Sequence, residues 1–328
     1  MLENWNRREL LKALTLLLGA RAVPAWSQAK NLHSSYSPAE FKQRLRGPIV
    51  SIPTPFTSDF RIDKVGLTRM INLALEHGIT IFELTAGDSQ FSYLAYDEIK
   101  DLAHSVVDSV ANRGMTIIGT GAWWTARSAE FARYIEGIGG TALQVLKPPG
   151  ADESGLVEHY QRVADATRLP IVLHGDFPLP LLEKLAQIEH IVALKEDVSL
   201  SYYVDGIVRF GKRINCFSGG GLDWFLVGQP YGATAYFDSY ATFAPEISDR
   251  FWKAVQASDF ATETEIIEKY DHPFIQNFSA AFWHATLEYF GVAQRYLRPP
   301  QHSYSEQEMA KVKQFYDALG VKPQKTLS

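Results

Sequence analysis

Between residues 47 and 257 the sequence alternates eight times between a short apolar run and a longer segment with helical spacing. The runs at 49–52, 81–84, 115–119, 142–146, 171–174, 191–195, 215–218 and 233–237 read as strands. Helical spacing follows each one, over 64–76, 96–110, 126–138, 154–167, from Pro180 onward, and over 201–210, 222–229 and 243–257. In the first of these helices Leu67, Met70, Ile71 and Leu75 fall on one face. Apolar runs this short and continuous suit strands buried on both faces, as in a parallel sheet covered by helices. Eight strand–helix units point to a (β/α)8 TIM barrel in one domain. A doubly wound open sheet is the alternative, but no Gly-x-Gly-x-x-Gly follows an early strand. Residues 258–328 read as a C-terminal helical extension packed on the barrel, and residues 30–46 as an N-terminal arm.

The first 29 residues stand apart. Asn6-Arg7-Arg8-Glu9-Leu10-Leu11-Lys12 precedes an apolar stretch over 13–20 and the small residues Ser27-Gln28-Ala29. This is the layout of a twin-arginine export signal with a cleavage site after Ala29. The expectation is a folded cargo of the twin-arginine translocation machinery, delivered to the periplasm or beyond. The apolar stretch is too short to serve as a spanning helix. The rest of the chain has no concentration of basic residues and the net charge is −5, which argues against nucleic acid as a partner. The single cysteine, Cys216, excludes an intrachain disulfide and a cysteine-based zinc site.

The sixth strand carries the chemistry. In His190-Ile191-Val192-Ala193-Leu194-Lys195-Glu196-Asp197 four apolar residues run straight into a lysine. Burying an ammonium is costly unless it is paired or neutral. A neutral lysine amine is the nucleophile that forms a Schiff base with a carbonyl substrate. A lysine that snorkels from a strand end to water is the plainer reading.

In a barrel of this class the chemistry lies at the C-terminal strand ends. Those ends supply Thr54-Pro55-Phe56, Thr85-Ala86-Gly87-Asp88-Ser89, Gly119-Thr120-Gly121-Ala122, Lys147-Pro148-Pro149, His174-Gly175-Asp176, Leu194-Lys195-Glu196, Phe217-Ser218-Gly219, and Tyr236 with Asp238. In order and spacing these segments resemble the dihydrodipicolinate synthase / N-acetylneuraminate lyase family, over roughly residues 47–321. The resemblance implies an imine between Lys195 and the carbonyl of a 2-oxo acid such as pyruvate or a keto sugar acid. A carbon–carbon bond is then made or broken, or water is eliminated. It also implies a carboxylate cradle at Thr85 and Ala86, substrate contacts from Thr54, Asp88, Ser218 and Tyr236, no metal or cofactor, and a homodimer or homotetramer.

Departures from the family pattern are as informative. His174-Gly175-Asp176-Phe177-Pro178 stands where the family has Tyr-Asn-x-Pro, whose tyrosine shuttles the proton. Pro148-Pro149 replace an aromatic pair, and Leu179-Pro180 occupy the place of the arginine that grips a second carboxylate in the lysine-biosynthetic enzymes. That reaction is therefore not expected. An imidazole titrates near neutrality, so His174 is assigned the shuttle's role, with Asp176 as a possible orienting partner. Trp123 and Trp124 suit either a stacking platform or an apolar plug. Two readings from other classes stay open. One is an exported small-molecule-binding protein that has lost the reaction. The other is a metal-dependent hydrolase built on His174, Asp176 and Asp238, although no His-x-His occurs on an early strand.

Overall fold

The computed structural model describes residues 36–323. The export signal read at 1–29, and residues 30–35 of the arm, lie outside the described residues.

The eight runs form parallel strands that close on themselves in sequence order. They are β1 (Gly47–Ser51), β2 (Ile81–Leu84), β3 (Met115–Gly119), β4 (Ala142–Leu146), β5 (Ile171–His174), β6 (Ile191–Glu196), β7 (Asn215–Ser218) and β8 (Ala235–Asp238). β1 pairs with β8 to seal the barrel. Helix α1 (Pro38–Arg44) precedes β1. The connecting helices are α2 (Lys64–Glu76), α3 (Tyr96–Val110), α4 (Thr125–Ile138), α5 (Glu153–Ala164), α6 (Leu179–Leu185), α7 (Leu200–Phe210), α8 (Leu222–Gly228) and α9 (Pro245–Ala257). Four more helices, α10 (Phe260–Ile266), α11 (His272–Gln276), α12 (Ala280–Tyr289) and α13 (Glu306–Leu319), follow the last unit, with one π-type turn at Ile267–Asp271. Among the described residues no helix is long and apolar enough to cross a membrane.

Strand side chains alternate between two faces, so each strand feeds two cores. The outward set, with Val50, Phe82, Ile118, Val145, Leu173 and Leu194, packs under the helices. The inward set, with Ile49, Ile81, Ile117, Ala142, Val172 and Phe217, fills the lower barrel. Phe41 and Leu45 of the α1 segment join this inner core, and neither is exposed. The plug is pinned by side-chain bonds to its backbone. Asn215 Nδ2 donates to the Lys42 carbonyl at 2.8 Å, and Thr234 Oγ1 to the Leu45 carbonyl at 2.9 Å.

One irregularity sets the register of the upper barrel. Ile171 pairs with Ile191, but the next residue, Val172, pairs with Ala193, so β6 carries one extra residue. Above that bulge His174 lies opposite Lys195, and Lys195 opposite Phe217.

The C-terminal helices steady the loop after β1. His284 of α12 is fully buried, with Nε2 2.9 Å from the Thr54 carbonyl. Arg298 makes a two-pronged ion pair with Glu98 (2.8 and 2.6 Å) and stacks over the Phe56 ring at 4.9 Å.

Candidate active site

Lys195 ends its apolar run inside the barrel mouth, and its side chain is only 6% exposed. The Nζ donates to Asp197 Oδ2 at 2.8 Å and lies 3.3 Å from His174 Nε2. The same carboxylate oxygen is 3.2 Å from His174 Nε2. Lysine, histidine and aspartate therefore form a closed triangle, with the face of Phe237 4.6 Å from the ammonium. Gly219 makes room for it. A β-carbon there would lie 2.9 Å from Lys195 Cε and 3.1 Å from Nζ, so a larger residue would displace the amine.

The electrostatics follow from position. Burial pushes the His174 pKa below its ordinary value, opposed by the hydrogen bond to Asp197. The imidazole is then mostly neutral near pH 7 and able to take a proton. For Asp197 burial works against the charge, but the hydrogen bond from His174 and the charge of Lys195 outweigh it. Its carboxyl is held well below the usual range, as expected for a carboxylate with charged and hydrogen-bonded partners. The Asp197 side chain is 39% exposed, so this anion faces the mouth while its two partners are buried.

The turn after β2 forms the other wall. Ser89 Oγ donates to the Ile52 carbonyl (2.6 Å) and accepts from the Thr85 amide (3.1 Å). Thr54 Oγ1 donates to the Ser89 carbonyl at 2.6 Å. Ser51 Oγ donates to Asp88 Oδ2 at 2.6 Å. The Thr85 hydroxyl points toward His174, 3.5 Å from Nδ1. The amides of Ala86 and Gly87 have no acceptor among the described residues.

Of the residues singled out in the sequence, Lys195, His174, Thr85, Ala86 and Asp88 converge on the mouth. Thr54 stands behind them, its hydroxyl spent on the Ser89 backbone. Ser218 and Tyr236 are corrections. Ser218 is in register with Glu196, not with Lys195, and pairs with Tyr236. All three point outward, away from the mouth. Tyr236 is fully buried against Phe225, Phe251 and Trp252, so it belongs to the layer between barrel and helices. Glu196, the acid directly after the lysine, likewise turns outward, and its Oε1 accepts from the amides of Val198 and Ser199 (2.6 and 3.1 Å). Asp238 accepts from the Ala241 amide at 3.2 Å on the outer side. His174, Asp176 and Asp238 therefore do not meet as a metal site. Nor does Asp176 orient His174. It presents its backbone carbonyl to the Lys147 ammonium across the Gly175 turn. Gly175 has φ +135°, and a β-carbon there would approach Lys147 Cβ to 2.7 Å. Trp123 packs edge-on against Tyr96 and Phe131, at 5.2 and 5.1 Å, while Trp124 is exposed. The two do not form one platform.

Four positions that shape the barrel interior around Lys195 were not singled out from sequence. Asp197 carried a signal, because it lies two residues beyond Lys195 and so on the same strand face. Gly219 carried only its place after β7. Glu83 and Gln144 were visible as polar interruptions in otherwise apolar runs. Both are fully buried inside the barrel, and Gln144 Nε2 donates to Glu83 Oε1.

Residues 44–319 match the dihydrodipicolinate synthetase family. The chain belongs to this family. Two family relatives from Streptomyces avermitilis carry the name probable 5-dehydro-4-deoxyglucarate dehydratase. One is 27% identical over 248 residues, covering 71% of this chain and 75% of the relative. The other is 25% identical over 290 residues, covering 83% and 92%. Among solved structures, dihydrodipicolinate synthase from Aquifex aeolicus superposes with a TM-score of 0.76 at 20% identity, over 86% of this chain and all of that one. At that identity the likeness is one of fold.

Proposed function

We propose that the protein is a lysine-imine lyase or dehydratase acting on a 2-oxo acid, with Lys195 as nucleophile and His174 as proton shuttle. The observation that carries this reading is the triangle of Lys195, His174 and Asp197 at the C-terminal mouth of a dihydrodipicolinate-synthetase-type barrel. In the resting pair Lys195 holds its proton against Asp197. With its ring proton on Nδ1, toward the Thr85 hydroxyl, neutral His174 presents a bare Nε2 3.3 Å from Nζ. It accepts that proton there, the new Nε2–H turning to Asp197, and frees the amine to attack the substrate carbonyl. His174 returns the proton to the carbinolamine hydroxyl, which leaves as water and gives the iminium; its positive nitrogen draws electrons from the neighbouring carbon. In elimination, His174 removes a proton from that carbon to give the enamine and, protonated, delivers it to the departing hydroxyl, which leaves as water. In carbon–carbon cleavage, His174 instead takes the proton from the hydroxyl of the departing fragment, which leaves as a carbonyl compound while the bond's electron pair forms the enamine. Asp197 stabilises the imidazolium between the two steps. The free amides of Ala86 and Gly87 with the Thr85 hydroxyl form the cradle for the substrate carboxylate.

Elimination of water is favoured over carbon–carbon cleavage by the dehydratase names of the two Streptomyces relatives. The loss of the arginine position turns the specificity away from the lysine-biosynthetic substrate. The test is borohydride reduction of the protein with pyruvate and with longer 2-oxo sugar acids, followed by peptide mass mapping. A reduced adduct on Lys195 is expected. Absence of any adduct across the panel shifts the weight to a small-molecule-binding protein on the same barrel.

A further inference from the structure

Glu83 lies at the centre of β2 and points into the barrel with no solvent exposure. Gln144 points inward from β4 and donates through Nε2 to Glu83 Oε1. That single bond leaves Glu83 Oε2 and Gln144 Oε1 both buried and without a partner. Two orphan acceptors in one dry pair are costly to leave unpaired. A proton on Glu83 Oε2 removes both deficits, because the carboxylic acid then donates to the amide oxygen while accepting from the amide nitrogen.

We propose that Glu83 is a positioning residue of the lysine site. As a neutral acid closed into a reciprocal pair with Gln144, it makes the barrel interior polar near Lys195 without supplying a second counter-charge. The proposal rests on the imine reading of Lys195. Asp197 is the only carboxylate within hydrogen-bond distance of Nζ among the described residues. A second anion nearby would strengthen the hold of the amine on its proton and oppose the attack that starts the reaction. The charged groups that act on Glu83 are Lys195 and Asp197 from β6 and its end, and Asp88 from the turn after β2. Its register neighbours, Ser51 on β1 and Ile117 on β3, bring no charge. Burial raises the Glu83 carboxyl well above its ordinary value. Lys195 and the Gln144 bond pull it down, while Asp88 and Asp197 push it up.

Glu83→Gln is the decisive variant, since two carboxamides can make the same pair of hydrogen bonds with no proton to lose. The first readout is the infrared difference between wild type and E83Q at neutral pH. The carbonyl stretch of a protonated carboxylic acid is expected in the wild type and absent from the variant; its absence from the wild type overturns the assignment. The second readout is the rate of borohydride-trapped adduct formation with pyruvate from neutral to alkaline pH. At neutral pH E83Q is expected within about threefold of wild type. The wild-type rate is expected to decline at alkaline pH as Glu83 ionises, and E83Q to lack that decline. Superimposed profiles overturn the positioning role. If the wild type traps no 2-oxo acid at any pH, the imine reading fails, while the infrared band still decides the charge state of Glu83.

Discussion

The lower and upper halves of the barrel interior are built by the same strands with the same alternation, and they differ in what each inward step carries. Below, Ile49, Ile81, Ile117 and Phe217 interdigitate in an apolar core closed by Phe41 and Leu45. One inward step further along the same strands stand Ser51, Glu83 and Gly219, facing Lys195 and His174 from neighbouring strands. The lower half is stabilised chiefly by burial, with the Asn215 and Thr234 bonds to the α1 segment's backbone at its closed end. The upper half keeps its polar groups in pairs, Ser51 with Asp88, Gln144 with Glu83 and Lys195 with Asp197, because an unpaired polar group there would be costly. Apolar packing and the polar candidate site are thus separated along the barrel axis within a few residues of each strand.

That separation can be broken from either side. Lys195→Met should abolish the borohydride-trapped adduct outright with little change in melting temperature, because the buried ammonium gives way to an apolar chain of similar length while the part-exposed Asp197 keeps His174 as a partner. A marked drop in melting temperature would show that the upper half also carries stability. His174→Ala should slow turnover by about 10²–10⁴-fold, the usual scale for a lost acid–base group, while Lys195 still becomes trapped at long incubation. Turnover within a few-fold of wild type would remove the histidine from the shuttle's role. Phe41→Ala at the opposite end should cost about 3–5 kcal/mol in denaturant unfolding and leave turnover per folded molecule unchanged.

The smallest effect concerns the support behind the mouth. Burial raises the Asp271 carboxyl to about 7, while its Oδ2 accepts from the Leu222 amide at 2.9 Å at the end of the Gly219-Gly220-Gly221 loop. The folded state holds a proton there that the unfolded chain releases above about pH 4. Its contribution to stability is therefore fully present below about pH 4 and lost as pH rises through about 7. Asp271→Asn should flatten the fall of the melting temperature across that window. Asp238, raised by burial to about 6, leaves a residual slope of the same sign.

Much of this organisation is written locally. The eight apolar runs with helical segments between them specify the barrel, since each run is short, continuous and followed by an amphipathic stretch. Strand boundaries shift by two residues at most, as at β8, which begins at Ala235 where the apolar run starts at 233. Lys195 and His174 were legible because a charged or titratable residue ending an apolar strand is conspicuous. Ser218 and Tyr236 were misplaced because strand ends were read as though every last residue faced the axis. Facing depends on parity across neighbouring strands, a long-range property that no local window contains. Asp176 was read as the orienting partner of His174, two residues away in sequence, whereas the partner in the structure, Asp197, arrives from the end of the next strand. The Glu83–Gln144 pair joins strands 61 residues apart in sequence.

The extra residue in β6 has a consequence for how such chains tolerate insertion and deletion. Val192 touches no reacting group and belongs to the apolar lower core. Removing it would restore an unbroken ladder from Ile171 upward, with Val172 still opposite Ala193 and His174 still opposite Lys195. The bulge is therefore slack in the strand: β6 can lose this residue and keep its lysine turned to the mouth. A second extra residue has no such reserve. Taken into the ladder, it would set Leu194 opposite His174 and turn the lysine toward the helices.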